Sequence, residues 1–116
     1  MAISEIDQPL YVVKAELFKS LGHPARIRIL ELLVEANQPV SQLLAQTGLE
    51  PSSLSQHLAI LKSTGLVESS RKGNSVTYRV TDPSISAFLL AARSVLVSTL
   101  GRVRQTLEDL EGPGSP

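Results

Sequence analysis

The feature that most constrains the fold is a pair of short helical stretches hinged on a glycine. The first runs roughly from Ser41 to Gln46, with Ser41 as its expected N-cap, and Thr47-Gly48 breaks it. Pro51 opens the second, which runs to about Ser63 before Gly65 closes it. Leu54, Leu58 and Leu61 fall at i, i+4 and i+7, so one face of this second helix belongs to a core. Ser52, Ser55, Gln56 and Ala59 lie off that stripe. A tight glycine turn between two short helices sets the second across the first and leaves its polar face free.

The flanking segments complete a recognisable order. Leu10, Val13, Leu17 and Leu21 step by three and four, the spacing of one helix face, and Gly22 ends that helix. Pro24 restarts the chain after His23, and Ile27, Leu30, Leu33 and Val34 form the next stripe, which Asn37-Gln38-Pro39 stops. Beyond the hinged pair, Val67 to Arg71 and Val76 to Val80 read as two strands. Val76, Tyr78 and Val80 alternate with Thr77 and Arg79, and Lys72-Gly73-Asn74 supplies the turn. Asp82-Pro83 starts a last helix with apolar positions at Ile85, Leu89, Ala92, Leu96, Leu100, Val103, Leu107 and Leu110. The expected architecture is mainly α with a small β-hairpin. One domain spans residues 10–111, between a flexible arm over 1–9 and a disordered tail over 112–116.

Composition narrows the function. The 116 residues are 42% hydrophobic and 19% charged, too apolar and too balanced for a disordered chain. The absence of Cys excludes disulfides, thiolate metal sites and a Cys nucleophile. Met1 to Leu10 has neither the basic nor the apolar region of a signal peptide, and no apolar run approaches a membrane span, so a cytoplasmic protein with no membrane partner is expected. With two isolated His and no glycine-rich phosphate loop, no nucleophile–base pair suggests itself, and an enzyme is not expected. An aromatic content of 3% gives no stacking platform for RNA.

The net charge of zero speaks against a broad electrostatic grip on nucleic acid, but the charges are unevenly placed. Residues 51–80 hold Lys62, Arg71, Lys72 and Arg79 against Glu68 alone, an excess that ordinary scatter could also give. The helix order adds weight. Ser52, Ser53, Ser55 and Gln56 are short hydrogen-bonding side chains on a face suited to the major groove, where Gln pairs bidentately with adenine and Ser serves several bases. Arg71 and Lys72 flank a hairpin tip suited to phosphate or minor-groove contact. The candidate DNA-contact set is Ser52, Ser53, Ser55, Gln56, His57, Lys62, Arg71, Lys72 and Asn74. His23, before Pro24, suits an orienting hydrogen bond to backbone; His57 suits packing or a phosphate contact better than metal ligation.

Leu21-Gly22-His23-Pro24-Ala25-Arg26-Ile27-Arg28-Ile29-Leu30 resembles the second-helix signature of the arsenic-repressor (ArsR/SmtB) family of winged-helix regulators. The segment from Pro51 to Val67 resembles that family's recognition helix and exit, and Arg71-Lys72-Gly73-Asn74 with Tyr78 is similar to its wing. The match runs from about Leu10 to Val80. The resemblance implies a winged helix-turn-helix with Ser52, Ser55 and Gln56 facing bases and Pro51 and Ser53 at the rim. It also implies a homodimer built from the first and last helices, an inverted-repeat operator, and an effector that alters DNA affinity. The expected dimer contacts are Leu10, Val13, Leu17, Leu96, Leu100 and Val103.

Two departures bear on the effector. Where many members carry metal-binding Cys near the start of the third helix, this chain has Pro39-Val40-Ser41-Gln42, and from Pro83 to Gly112 it has no His. No dedicated metal site or cofactor is therefore expected, and regulation would come from a small molecule, a partner protein or expression level. The alternatives are a nickel- or zinc-type regulator using a non-standard site, such as one drawing on Glu5 or Asp7, and a winged-helix module that binds protein.

Overall fold

The structure is a computed structural model that describes Gln8–Glu111. Its elements in chain order are α1 (Leu10–Leu21), α2 (Pro24–Glu35), β1 (Gln38–Pro39), α3 (Val40–Thr47), α4 (Pro51–Ser63), β2 (Val67–Lys72), β3 (Ser75–Val80) and α5 (Ser84–Glu111). Apart from Gln8 and Pro9, the arm expected over 1–9 lies outside the described residues, as does the tail over 112–116 and the pair Glu5 and Asp7. The chain divides into two compact units, one ending at Ile85 and the other beginning at Ser86.

In the first unit α2 is the central element, packed against α1, α3, α4 and β3. Its buried residues are Ile29, Leu30, Leu32 and Leu33, while Ile27 and Val34 are only half-buried. This corrects the expected stripe. A helix surrounded by four partners buries a wider arc than a one-sided amphipathic pattern predicts. Leu43 of α3, Leu54, Leu58 and Leu61 of α4, Val67 of β2 and Ile85 complete the core with Leu21.

The sheet has three strands rather than the two of a hairpin, in the order β1-β3-β2 and antiparallel throughout. The unforeseen strand is Gln38–Pro39, within the segment expected only to stop α2. Gln38 pairs with Tyr78 and Pro39 with Thr77. An edge position tolerates Pro39, which has no amide to give the ladder. Buried Gln38 donates its side-chain amide to the Leu32 carbonyl at 3.4 Å.

Local chemistry fixes the boundaries. The β2–β3 loop is the two-residue Gly73-Asn74, with φ +63° at Gly73 and a negative φ at Asn74, the signs of a type II′ hairpin turn. α3 begins one residue before the expected Ser41 cap. Pro39 takes the cap position without a side-chain hydrogen bond, because the chain enters the helix straight from β1. At the start of α5 the Asp82 carboxylate accepts the Ser84 amide at 2.8 Å, and hydrogen bonding from Ser84 holds that carboxyl below its ordinary value of 3.8.

In the second unit α5 is exposed at every residue from Leu90 to Glu111. One 18-residue window of this 28-residue helix has a mean hydropathy of 1.5. By length and composition it could cross a membrane, which corrects the expectation that no apolar stretch comes near that size. That expectation counted unbroken apolar residues, and the scattered Ser, Thr and Arg of α5 concealed the average.

Candidate nucleic-acid interface

Three residues, Gly48, Leu49 and Glu50, join α3 to α4. Gly48 takes φ +69°, a left-handed conformation that side chains with a Cβ rarely adopt, and its amide returns to the Leu44 carbonyl. Thr47 tightens the same turn: its hydroxyl donates to the Leu43 carbonyl at 2.7 Å and accepts from the Leu49 amide at 3.3 Å. Pro51 then opens α4 at its first turn, where a missing amide costs no hydrogen bond.

This geometry splits α4 into two faces. Leu54, Leu58 and Leu61 are buried, at 1%, 2% and 0% exposure. Ser52, Ser55 and Gln56 are exposed, and Ser53 and His57 are half-buried at the margins. The side chains expected to approach bases thus share the solvent face, and Ser53 lies at its rim.

The wing carries the charge. Register pairs Glu68 with Arg79 across β2 and β3, and their side chains make an ion pair at 2.7 Å, so Arg79 is neutralised locally. Arg71 and Lys72 remain exposed at the end of β2, beside exposed Asn74. Lys72 and Asn74 also line an open groove of about 540 Å³ with Val40, Ser41 and Leu44 of α3 and with Ser75 and Val76. Lys62 donates to the Ser69 hydroxyl at 2.9 Å, tying the end of α4 to β2.

Both imidazoles meet at the start of α2, with ring centroids 4.4 Å apart. His23 caps the helix: its Nδ1 accepts the Ala25 amide at 3.0 Å, the backbone role expected of it. His57 Nδ1 lies 3.3 Å from Arg26 Nη1, and Arg26 Nε donates to the Ser20 carbonyl. The His57 pKa is pushed below 6.5, first by burial and then by electrostatic repulsion from the neighbouring His23 ring and the Arg26 guanidinium. Sequence reasoning gave Arg26 no role. Its one signal was its place three residues after His23, one helical turn on. Among the described residues, no three His, Cys, Asp or Glu side chains gather into a group able to hold a metal.

Residues 23–69 match the model of the family described as bacterial regulatory protein, arsR family. The chain is 50% identical to the HTH-type transcriptional regulator Rv0081 of Mycobacterium tuberculosis, over 93% of this chain and 96% of that one. The crystal structure of Rv0081 superposes with a TM-score of 0.77 and 49% identity, covering 83% of this chain and 97% of that chain. A solution structure described as the homodimeric winged helix-turn-helix DNA-binding domain of Mb0332 from Mycobacterium bovis superposes with a TM-score of 0.72 and 29% identity. It covers 80% of this chain and 86% of that chain. The helices, the glycine turn and the wing agree with this kinship, and the chain is a member of the arsR family, a winged helix-turn-helix transcriptional regulator and not an enzyme.

Proposed function

We propose that this regulator acts in the cytoplasm as a homodimer that binds an inverted-repeat operator in double-stranded DNA. The observation that carries the reading is the division of α4 into a buried leucine face and an exposed face of Ser52, Ser55 and Gln56. With the first helix of the motif crossing the backbone, that polar face enters the major groove and Gln56 reads a base edge. Ser53, His57 and Lys62 lie along the rim, and Arg71, Lys72 and Asn74 at the wing contact phosphates and set register without reading sequence.

Dimerisation is supported by apolar surface that a lone chain leaves uncovered. Leu10 on α1 is 67% exposed, and Val13 and Leu17 are half-buried. On α5, Leu96, Leu100 and Val103 are exposed in a row at helical spacing. The Mb0332 domain, described as homodimeric, supports a homodimer here, and an isologous pair presents two recognition helices to the two halves of a palindrome.

The effector is a small molecule or a partner protein, unless expression level alone sets activity. Val40, Ser41 and Gln42 open α3, and the middle of α5 carries Val, Leu, Ser and Thr. These side chains lack the N, S or carboxylate donors of a tight transition-metal site. Band shifts and footprinting on the DNA flanking the gene test the central reading. A protected palindrome with binding that weakens steeply with salt is expected. Equal affinity for flanking and scrambled DNA would refute it and favour a winged-helix module that binds protein.

A further inference from the structure

The junction where α1 ends, α2 begins and α4 passes brings Arg26, His23 and His57 together beside the recognition helix. We propose that Arg26, together with His23 and His57, is a positioning cluster that holds the recognition helix against α2 only while His57 is neutral. The consequence for operator choice rests on the DNA-binding reading; the cluster itself does not.

Two obligate donors orient the imidazoles. The Ala25 amide points at His23 Nδ1 at 3.0 Å, and the Arg26 guanidinium reaches His57 Nδ1 at 3.3 Å. The guanidinium cannot accept, so His57 must offer a lone pair at Nδ1 and carry its single proton on Nε2. The other arm of Arg26 is fixed on the Ser20 carbonyl at the end of α1. One guanidinium therefore spans from the last turn of α1 to α4.

A second proton on His57 would convert its acceptor into a donor aimed at a donor. It would also place an imidazolium beside Arg26, with the His23 ring centroid 4.4 Å away. Among the described residues, the groups that lower the His57 pKa besides burial are His23 and Arg26, both from the start of α2, and Arg26 is itself held on the Ser20 carbonyl of α1. The lowered pKa of His57 agrees with that arrangement. Because the folded protein resists this proton, the unfolded chain binds more of it in the window below 6.5. The stabilising contact is fully present above 6.5 and is lost as pH falls through the folded value.

Gln56 precedes His57 on α4, so release of His57 loosens the side chain assigned to base readout. The sign separates this from a simple charge effect. An added positive charge alone would strengthen binding to every DNA sequence, whereas loss of position lowers the operator's advantage over scrambled DNA.

The test starts with imidazole NMR titration of the full chain, assigned with His23→Gln and His57→Gln. The His57 midpoint is expected below 6.5 and should move up in Arg26→Gln, which removes a positive neighbour. A wild-type midpoint at or above 6.5 would overturn the proposal without any variant having to fold. In band shifts, the operator-to-scrambled affinity ratio should fall by about threefold or more from pH 7.5 to 5.5, the order expected for loss of one side-chain hydrogen bond. His57→Gln retains a carbonyl acceptor for Arg26 at all pH values, so this fall should vanish whatever its affinity at pH 7.5. An equal fall in His57→Gln refutes the cluster's role. No operator preference at any pH would instead refute the DNA reading, and the NMR titration would still decide the cluster.

Discussion

Replacing Leu100 by Ala asks whether α5 is half of a dimer interface. Leu100 is 64% exposed in the single chain. Full burial of a leucine is worth about 1.5–3 kcal/mol, so covering its exposed part contributes about 1–2 kcal/mol per protomer. An isologous interface counts each substitution twice, giving about 2–4 kcal/mol per dimer. The retained Cβ of Ala moves the expectation toward the lower end. That corresponds to a dimer Kd weakened by about 30- to 700-fold. Sedimentation equilibrium from nanomolar to micromolar protein measures it, with circular dichroism to confirm that the helices remain. A wild type already monomeric at micromolar concentration would refute the reasoning. So would a Leu100→Ala dimer within threefold of wild type, for then the exposed stripe of α5 is not what the partner covers.

Three further outcomes are expected. Gln56→Ala should weaken operator binding by about 1–3 kcal/mol and relax sequence choice; equal losses on operator and scrambled DNA in band shifts would remove Gln56 from base readout. Arg71→Ala and Lys72→Ala should each weaken all sequences alike and lower the slope of log affinity against log salt by about one, and an unchanged slope would place the wing away from phosphates. Calorimetry with nickel and zinc should show no submicromolar site on α3 or mid-α5; tight binding that persists without residues 1–9 and maps by NMR to 85–107 would overturn the effector reading.

The sequence was most legible where one signal acted alone. The leucines of α4 at i, i+4 and i+7 marked its buried face, since only one side of that helix meets the core. Gly48 and Gly73 marked the two turns, both at positive φ. Legibility failed where several partners converge. Ile29 and Leu32 are buried because α2 is surrounded, a fact of tertiary packing that no local period encodes. Strand β1 was hidden because two residues cannot show alternation and Pro39 reads as a breaker; its pairing is decided by Tyr78 and Thr77, far along the chain. Arg26 was hidden likewise, because its partner His57 lies 31 residues away. For the candidate site, residue types were readable on the α4 face and the wing tip. The ion pair that withdraws Arg79 from the basic excess emerged only from strand register.

Helix α5 shows why average composition cannot choose a partner. Its mean hydropathy would admit a membrane span, yet the placement of its polar residues favours a protein surface. Arg93 falls near the middle of the apolar stretch, where a charge in a bilayer costs about 2.5–3.5 kcal/mol even on the most lenient scale. Arg102 and Arg104 follow, with Ser94, Ser98 and Thr99 between. Ser94 and Thr106 return their hydroxyls to the carbonyls four residues earlier, which adds no interhelical contact in lipid. Against a second copy of the same helix these residues cost nothing, because only a stripe is covered and the flanks meet water. Leu96, Leu100, Val103, Leu107 and Leu110 step by four, three, four and three, the spacing that keeps a seam facing one neighbouring helix. A bilayer would reward apolar residues all around the helix, whereas this one interrupts them with Arg93, Arg102 and Arg104 while keeping one continuous apolar seam. That seam is the surface the proposed dimer covers.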